Sequence, residues 1–211
     1  MEIVIYSDIV CPWCYIGKRR LEQALDSYDG EVSLRYRPFQ LDPRPVSEPR
    51  PVAEALAEKF GGPERVRQLL AHVTSVAAES GLTLRFDRAL NANTFDAHRL
   101  VRFAAERGRA SEMVDALFRA HFVDGVDVGS RAALASVAAT TGFDEQEVRA
   151  YLDSSAGVDE VRAEVEEARR IGVTSVPTFV FAGKYVVTGA QPPETLLKVL
   201  TEIRRHTASR R

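Results

Sequence analysis

The sequence predicts an α/β fold in which a β-α-β unit and a β-β-α unit are separated by an all-helical insertion. Two observations predict it. Strand-like segments rich in Ile, Val and Phe cluster at the two ends of the chain, and only helical periodicity fills the middle. A third observation sets the scale: 211 residues suit one large domain, or a small domain carrying a long insertion.

The elements follow in order. Glu2 to Ser7 alternates weakly and reads as a strand. After Cys11 a helix pattern runs through Leu21 and Leu25 to Gly30. Val32 to Phe39 alternates cleanly and reads as a second strand, leading into a proline-rich loop from Pro43 to Pro51. These make a β-α-β unit with the cysteines at its first strand-to-helix junction. Pro63 suits a first helical turn, and Val66, Leu69, Leu70, Val73 and Ala77 form a stripe ending at Gly81.

Thr94 is placed to cap a helix reaching Gly108, and a further helix covers Ala110 to Phe122. Ser130 is placed to cap a helix that ends at Gly142. Asp144 and Glu147 have capping-box spacing before Val148. Val158, Val161, Val165 and Ala168 line a helix closed by Gly172. Sheet-like sequence returns at Thr178 to Phe181, turns at Gly183 and continues from Lys184 to Thr188 as a hairpin. Pro192 and Pro193 open a last helix with Leu196, Val199, Leu200 and Ile203. The organisation is residues 1–45 and 173–206 as the two parts of the α/β unit, 46–172 as the helical insertion, and 207–211 as a basic tail.

Hydrophobic residues make up 45% and charged residues 27%, enough apolar side chains for a core. The formal net charge of -2 argues against nucleic-acid or anionic-membrane partners. The one basic cluster, Arg204 to Arg211, reads as a frayed, solvated end. No run approaches the roughly 20 apolar residues of a membrane span. The start of the chain runs straight into a strand, without the basic and apolar regions of a secretory leader, so the expected location is cytoplasmic.

The two cysteines, Cys11 and Cys14, are three apart. A crosslink across so short a loop removes little entropy from the unfolded chain, and a reducing cytoplasm would not keep it. Zinc takes about four ligands, and His72, His98, His121 and His206 have no finger spacing, so no metal is expected. Redox chemistry remains. Only a thiolate attacks a disulfide, and a helix N-terminus favours a sulfur anion through its unpaired N–H groups and dipole. Cys11 falls at the cap and Pro12 in the first turn, where a missing N–H costs nothing. Cys11 is therefore the attacking thiol, and Cys14, the more buried, the resolving one. Pro12 and Trp13 add no charge to stabilise the thiolate, so the couple should be less oxidising than one with a histidine in the pair. Trp13 offers an apolar rim for substrates.

Pro177 stands directly before a strand-like run. Local sequence favours a strand-initiating proline with a trans bond; the other reading is a cis bond that leaves the Val176 backbone available to an extended substrate.

Ser7-Asp8-Ile9-Val10-Cys11-Pro12-Trp13-Cys14-Tyr15-Ile16-Gly17, Asn93 to Arg99, and Gly172 to Phe179 with its Val176-Pro177-Thr178 together resemble the DsbA family of thioredoxin-like oxidoreductases, and within it the FrnE-like branch. The resemblance spans nearly the whole chain. It implies a thioredoxin fold with an inserted helical domain that helps shape the substrate groove. It also implies redox-active Cys11 and Cys14 and a cis Pro177 beside them, with no cofactor beyond the redox-active disulfide. More distantly the pattern is similar to kappa-class glutathione transferases and 2-hydroxychromene-2-carboxylate isomerases, which usually carry serine where Cys11 stands. A glutathione-dependent isomerase or transferase is thus the alternative function, and glutathione is a reductant or ligand to consider in either case. The expected partners are disulfide- or thiol-bearing proteins or small molecules, acting on a monomer or homodimer.

Asp8, Asn93, Thr94 and His98 are secondary candidates for the cleft. His98, three after Phe95 and three before Val101, is either a satisfied core histidine or a cleft residue. Asp8 either moves a proton or, as favoured here, bonds the loop before Cys11. His121 reads as a packing or surface residue.

Overall fold

The computed structural model describes residues 1–208. Four strands form one sheet in the order β2-β1-β3-β4, from β1 (Glu2–Ser7), β2 (Ser33–Pro38), β3 (Thr178–Phe181) and β4 (Tyr185–Thr188). β1 runs parallel to β2 through the helix α1 (Pro12–Leu25) and antiparallel to β3, which pairs antiparallel with β4. The hairpin turns at Ala182 and Gly183, both with positive φ (51° and 66°), the backbone that matches the twist of the paired strands.

Alternation along β1 builds two layers of core. Ile3 and Ile5 face α1 and α9 (Pro193–Ala208), packing with Leu21, Phe179, Phe181 and Leu200. Tyr6 lies on the other face with Phe39, Ala168 and Val173. Ala168 belongs to α8 (Val158–Arg170), so α8 covers the sheet although its sequence position puts it at the end of the insertion. Periodicity told that α8 has an apolar face but not which surface the face meets.

The helical block comprises α2 (Val52–Phe60), α3 (Pro63–Glu79), α4 (Phe95–Ala105), α5 (Ala110–Arg119), α6 (Arg131–Thr140) and α7 (Glu145–Asp153). α2 has no fully buried residue, though Val52 and Leu56 share a half-buried face; Glu54 in its first turn and the left-handed Gly61 at its end delimit it. The helix expected from Ala110 to Phe122 stops at Arg119 and widens into a π-helical turn, Ala120–Asp124. Ser130 accepts from Ala133 N–H at 3.4 Å and Asp144 from Glu147 N–H at 2.7 Å, as their cap positions predict. Glu147 does not complete the capping box: its carboxylate takes Arg107 at 2.6 Å. α9 continues through Ala208, past the boundary expected at 206, so Arg204 to Thr207 are helical and not a loose end. Residues 209–211, the remainder of the expected basic tail, lie outside the described residues. Among the described residues no helix is long and apolar enough to cross a membrane.

The block joins the sheet through polar as well as apolar contacts. Lys18 of α1, 2% exposed, pairs with Glu22 and, at 2.6 Å, with Asp115 of α5. Tyr36 of β2 meets Ser111 of α5 at 3.2 Å between their hydroxyl oxygens.

Candidate active site

The central strand β1 delivers the chain to the site. Beyond Ser7 a tight turn closes with Cys11 N–H donating to the Asp8 carbonyl at 3.1 Å. Cys11 is the N-cap of α1 in extended conformation (φ -93°, ψ 111°), and Pro12 opens the helix. Cys11 thus stands where a helix's field favours negative charge. The Cys14 N–H donates to the Cys11 carbonyl at 3.0 Å, which sets the second cysteine one turn on. Both are free thiols.

β3 pairs beside β1, with Thr178 opposite Tyr6, and so brings the segment before it against this turn. The Val176–Pro177 peptide bond is cis. The Cys11 thiol points at the Val176 carbonyl oxygen, 3.8 Å away. α1 approaches this segment closely because residue 17 is glycine: a Cβ there would stand 2.8 Å from Pro177 Cγ. Residues 165 positions apart therefore lie against one another, with the cis bond that the family resemblance implies in place of the trans bond that local sequence favours.

Cys11 is 4% and Cys14 2% exposed, so the expected order holds while both are well covered. The cysteines pack with Ile9 and Ile16 into the core of the helical block, not into the sheet's core. Burial pushes the Cys14 thiol well up from its ordinary value, and the neighbouring Cys11 sulfur adds to this. The Asp8 backbone and the Ser7 side chain nearby work the other way. Trp13 is 36% exposed, with its ring 6.2 Å from that of His72 on α3.

Beneath the turn lies a set of buried polar side chains. Asp8 is fully buried; its Oδ2 accepts from Leu41 N–H at 2.8 Å, and its Oδ1 lies 3.4 Å from His98 Nε2. Asp8 does hold a loop, but the one after β2. His98 Nε2 is 3.1 Å from the Phe39 carbonyl, an acceptor only, so Nε2 carries the hydrogen. His98 is therefore a satisfied core histidine placed directly beside Asp8. His121, in the π-helical turn, is 1% exposed with no partner on either ring nitrogen. Burial lowers its pKa to about 4, and the Asp8 charge pulls weakly upward.

Asn93 and Thr94 serve the start of α4. Asn93 Oδ1 accepts from Phe95 N–H at 3.0 Å and from Gln40, and its Nδ2 donates to the carbonyls of Pro43 and Arg44. The expected cap by Thr94 does not form: its buried hydroxyl has no partner, and Asn93 satisfies the helix start instead. Asn93 thereby ties down the loop that also bonds Asp8.

Sequence reasoning missed Ser7 and His72 near the cysteine turn, and it missed the buried structural role of Arg99. Ser7 had a signal, since period two puts its side chain on the same face as Ile3 and Ile5, toward α1. His72 had none, and apart from Asp96 on the same helix the partners of Arg99 are more than fifty residues away. Arg99 is fully buried and donates to the carbonyls of Tyr151, Leu152, Ser154 and Ala156 and to Asp96. Among the described residues no group of three or more His, Cys, Asp or Glu is arranged to hold a metal ion.

Comparison with known proteins places this geometry. The sequence profile of the DSBA-like thioredoxin domain matches residues 2–201. A probable DsbA oxidoreductase from Streptomyces coelicolor is 39% identical, with a TM-score of 0.89 over 96% of this chain and 89% of that one. The cytosolic disulfide reductase DsbM from Pseudomonas aeruginosa, solved with GSH, is 19% identical with a TM-score of 0.69, covering 97% and 100%. A 2-hydroxychromene-2-carboxylate isomerase, 19% identical, gives 0.76 with both chains covered fully. The last two are likenesses of fold alone.

Proposed function

The chain belongs to the DSBA-like thioredoxin domain family, and from that premise we propose that it is a thiol–disulfide oxidoreductase working through Cys11 and Cys14. The observation that carries this reading is the Cys11 thiol at the start of α1, 3.8 Å from the carbonyl of the cis-proline segment, with Cys14 one turn behind it. Cys11 as thiolate attacks a substrate disulfide; a Cys11–substrate bond forms and the substrate's other sulfur leaves with the electron pair. Cys14 then attacks Cys11, closing the Cys11–Cys14 disulfide and releasing the second sulfur. The substrate gains two electrons and the enzyme dithiol loses them; run backward, the same steps oxidise a dithiol.

Trp13, exposed beside His72, supplies an apolar edge for a protein or small-molecule disulfide. Glutathione is the proposed small-molecule reductant or ligand, and DsbM, a structure of the same fold, was solved with GSH. A cytoplasmic setting suits a chain whose only two cysteines are the reacting pair. The presence of both cysteines favours exchange over glutathione-dependent isomerisation, which needs no Cys14.

The experiment replaces each cysteine. Cys11→Ser abolishes disulfide reduction, and Cys14→Ser accumulates mixed disulfides seen by mass spectrometry. A Cys11→Ser protein that turned over at the parent rate would refute the reading.

A further inference from the structure

The structure holds a cavity of about 530 Å³ that the exchange chemistry does not use. It lies between β2 and the helices α4, α5 and α8. Cys11, Trp13, Cys14, Val176 and Pro177 are absent from its wall, so it is separate from the substrate cleft. Its volume falls within the roughly 300–1,000 Å³ of small-molecule sites. The buried part of the wall is mainly apolar, with Ile9, Pro38, Val101 and Val114 around the Ser7 and His98 side chains. The exposed part includes Arg35, Ala105 and Glu106 and opens the cavity to solvent.

The sheet explains why charge gathers at this wall. β2 is an edge strand, paired only with β1. Arg35 stands opposite Val4 and Arg37 opposite Tyr6, so both guanidiniums share the sheet face that α8 covers. Glu164 of α8 accepts from Arg37 and lies 3.7 Å from Arg102 of α4. Arg102 also reaches Glu106 at 3.4 Å. Among the described residues Arg35 has no carboxylate partner. Three guanidiniums thus meet two carboxylates, which leaves the wall with a positive excess.

The backbone adds donors. Ser33 N–H donates to the Met1 carbonyl and Phe39 N–H to the Ser7 carbonyl, each at 3.0 Å. A parallel ladder uses alternate residues, so Leu34 and Tyr36 turn their N–H groups to the free edge beside the cavity.

We propose that this cavity is a binding site for a small monocarboxylate with an apolar body. The guanidinium fork matches a carboxylate in shape and charge, and the buried wall takes the apolar body. A phosphate ester or a dicarboxylate carries more negative charge than the one unpaired guanidinium offsets, and a neutral molecule leaves Arg35 without a partner. The inference goes beyond the exchange reading and does not depend on it, because no cysteine takes part.

The test titrates isotope-labelled full-length protein with hydrocinnamate and, separately, with hydrocinnamyl alcohol, which has the same body and no charge. Amide NMR resonances report both place and affinity. Hydrocinnamate is expected to shift the Leu34, Tyr36 and Ala105 amides and to bind about tenfold more tightly than the alcohol. Arg35→Gln weakens hydrocinnamate by about three- to fivefold and leaves the alcohol unchanged. Ala105→Phe, at an exposed helical position on the cavity wall, removes the shifts at Leu34 and Tyr36 for both ligands. Equal affinity for alcohol and carboxylate overturns the proposal, as do shifts centred on Trp13 and Val176 instead of β2. No saturable shift up to about 10 mM hydrocinnamate overturns it too. The comparison of the two ligands uses the parent protein alone, so it decides the matter even where a variant does not fold.

Discussion

A Cβ built on Gly17 would stand 2.8 Å from Pro177 Cγ and 3.3 Å from the Phe179 ring. The cysteine helix thus meets the cis-proline segment at Gly17 with no room for a side-chain carbon between them. Neither neighbour is a flexible side-chain end; one is a proline ring and the other a fully buried phenylalanine.

Gly17→Ala is expected to push α1 away from Pro177. Overpacking of this kind costs about 1–3 kcal/mol. Denaturant titration should show that loss, and release of the first thiolate from 5,5′-dithiobis(2-nitrobenzoate) should slow as Cys11 shifts against Val176. Parent-like stability and rate together would mean that the contact relaxes freely.

Arg99→Leu removes a fully buried guanidinium that closes the C-terminal end of α7 and the turn after it. Several carbonyls lose their donor at once, each worth about 1–3 kcal/mol when left buried and unpaired. The expected loss of stability is at least about 3 kcal/mol, measured by urea unfolding. None of the Arg99 partners belongs to the cysteine turn or the Val176–Pro177 segment, so the variant that still folds should keep its exchange rate at low temperature.

His121 makes stability depend on pH. Its folded pKa is held down to about 4 by burial against an ordinary 6.5, so the unfolded chain binds the extra proton between these values. Stability is therefore fully present above pH 6.5 and falls as pH drops toward 4, by roughly 3 kcal/mol in the limit below that range. Unfolding titrations at pH 7.5 and 4.5 should show the parent losing stability and His121→Leu losing less. An identical pH dependence in both proteins would rule out this residue as the cause.

Cys14 should resist alkylation. Burial and the nearby Cys11 sulfur both raise its pKa, leaving little thiolate at neutral pH. Brief iodoacetamide treatment of reduced protein at pH 7, followed by peptide mapping, is expected to label Cys11 and spare Cys14. Equal labelling would show that the burial seen here does not persist in solution.

The redox couple should lie below the strongly oxidising end of the range. Pro12 and Trp13 place no positive charge beside the thiolate, so a glutathione titration is expected to give a potential more negative than about -120 mV. A value at or above that mark would show that the stabilising charge comes from elsewhere in the fold.

Much of the site was legible in the residues. Cys11 at a helix cap, Pro12 behind it and Gly183 in a hairpin turn are local features, and local sterics decide them. Thr94 shows the limit of that reasoning: the spacing suits a cap, but Asn93 one residue earlier is within reach of both Phe95 N–H and the 40–44 loop, and it takes the role. α2 gives a weak signal: Val52 and Leu56 recur at helical spacing, but the helix has 9 residues and follows directly on the proline-rich segment.

The sequence by itself determined the order of strands and helices and the pairing of two sulfurs at one helix start, since backbone geometry and hydrophobic period act over a few residues. Only the tertiary structure decided that Asp8 sits beside His98 and near His121, and that Val176 closes over Cys11. It also decided that the cysteines pack with the helical block and that α8 lies on the sheet. These are meetings between side chains tens to more than a hundred residues apart. Which surfaces come together depends on burying the whole molecule's apolar area at once, and no local pattern records that outcome.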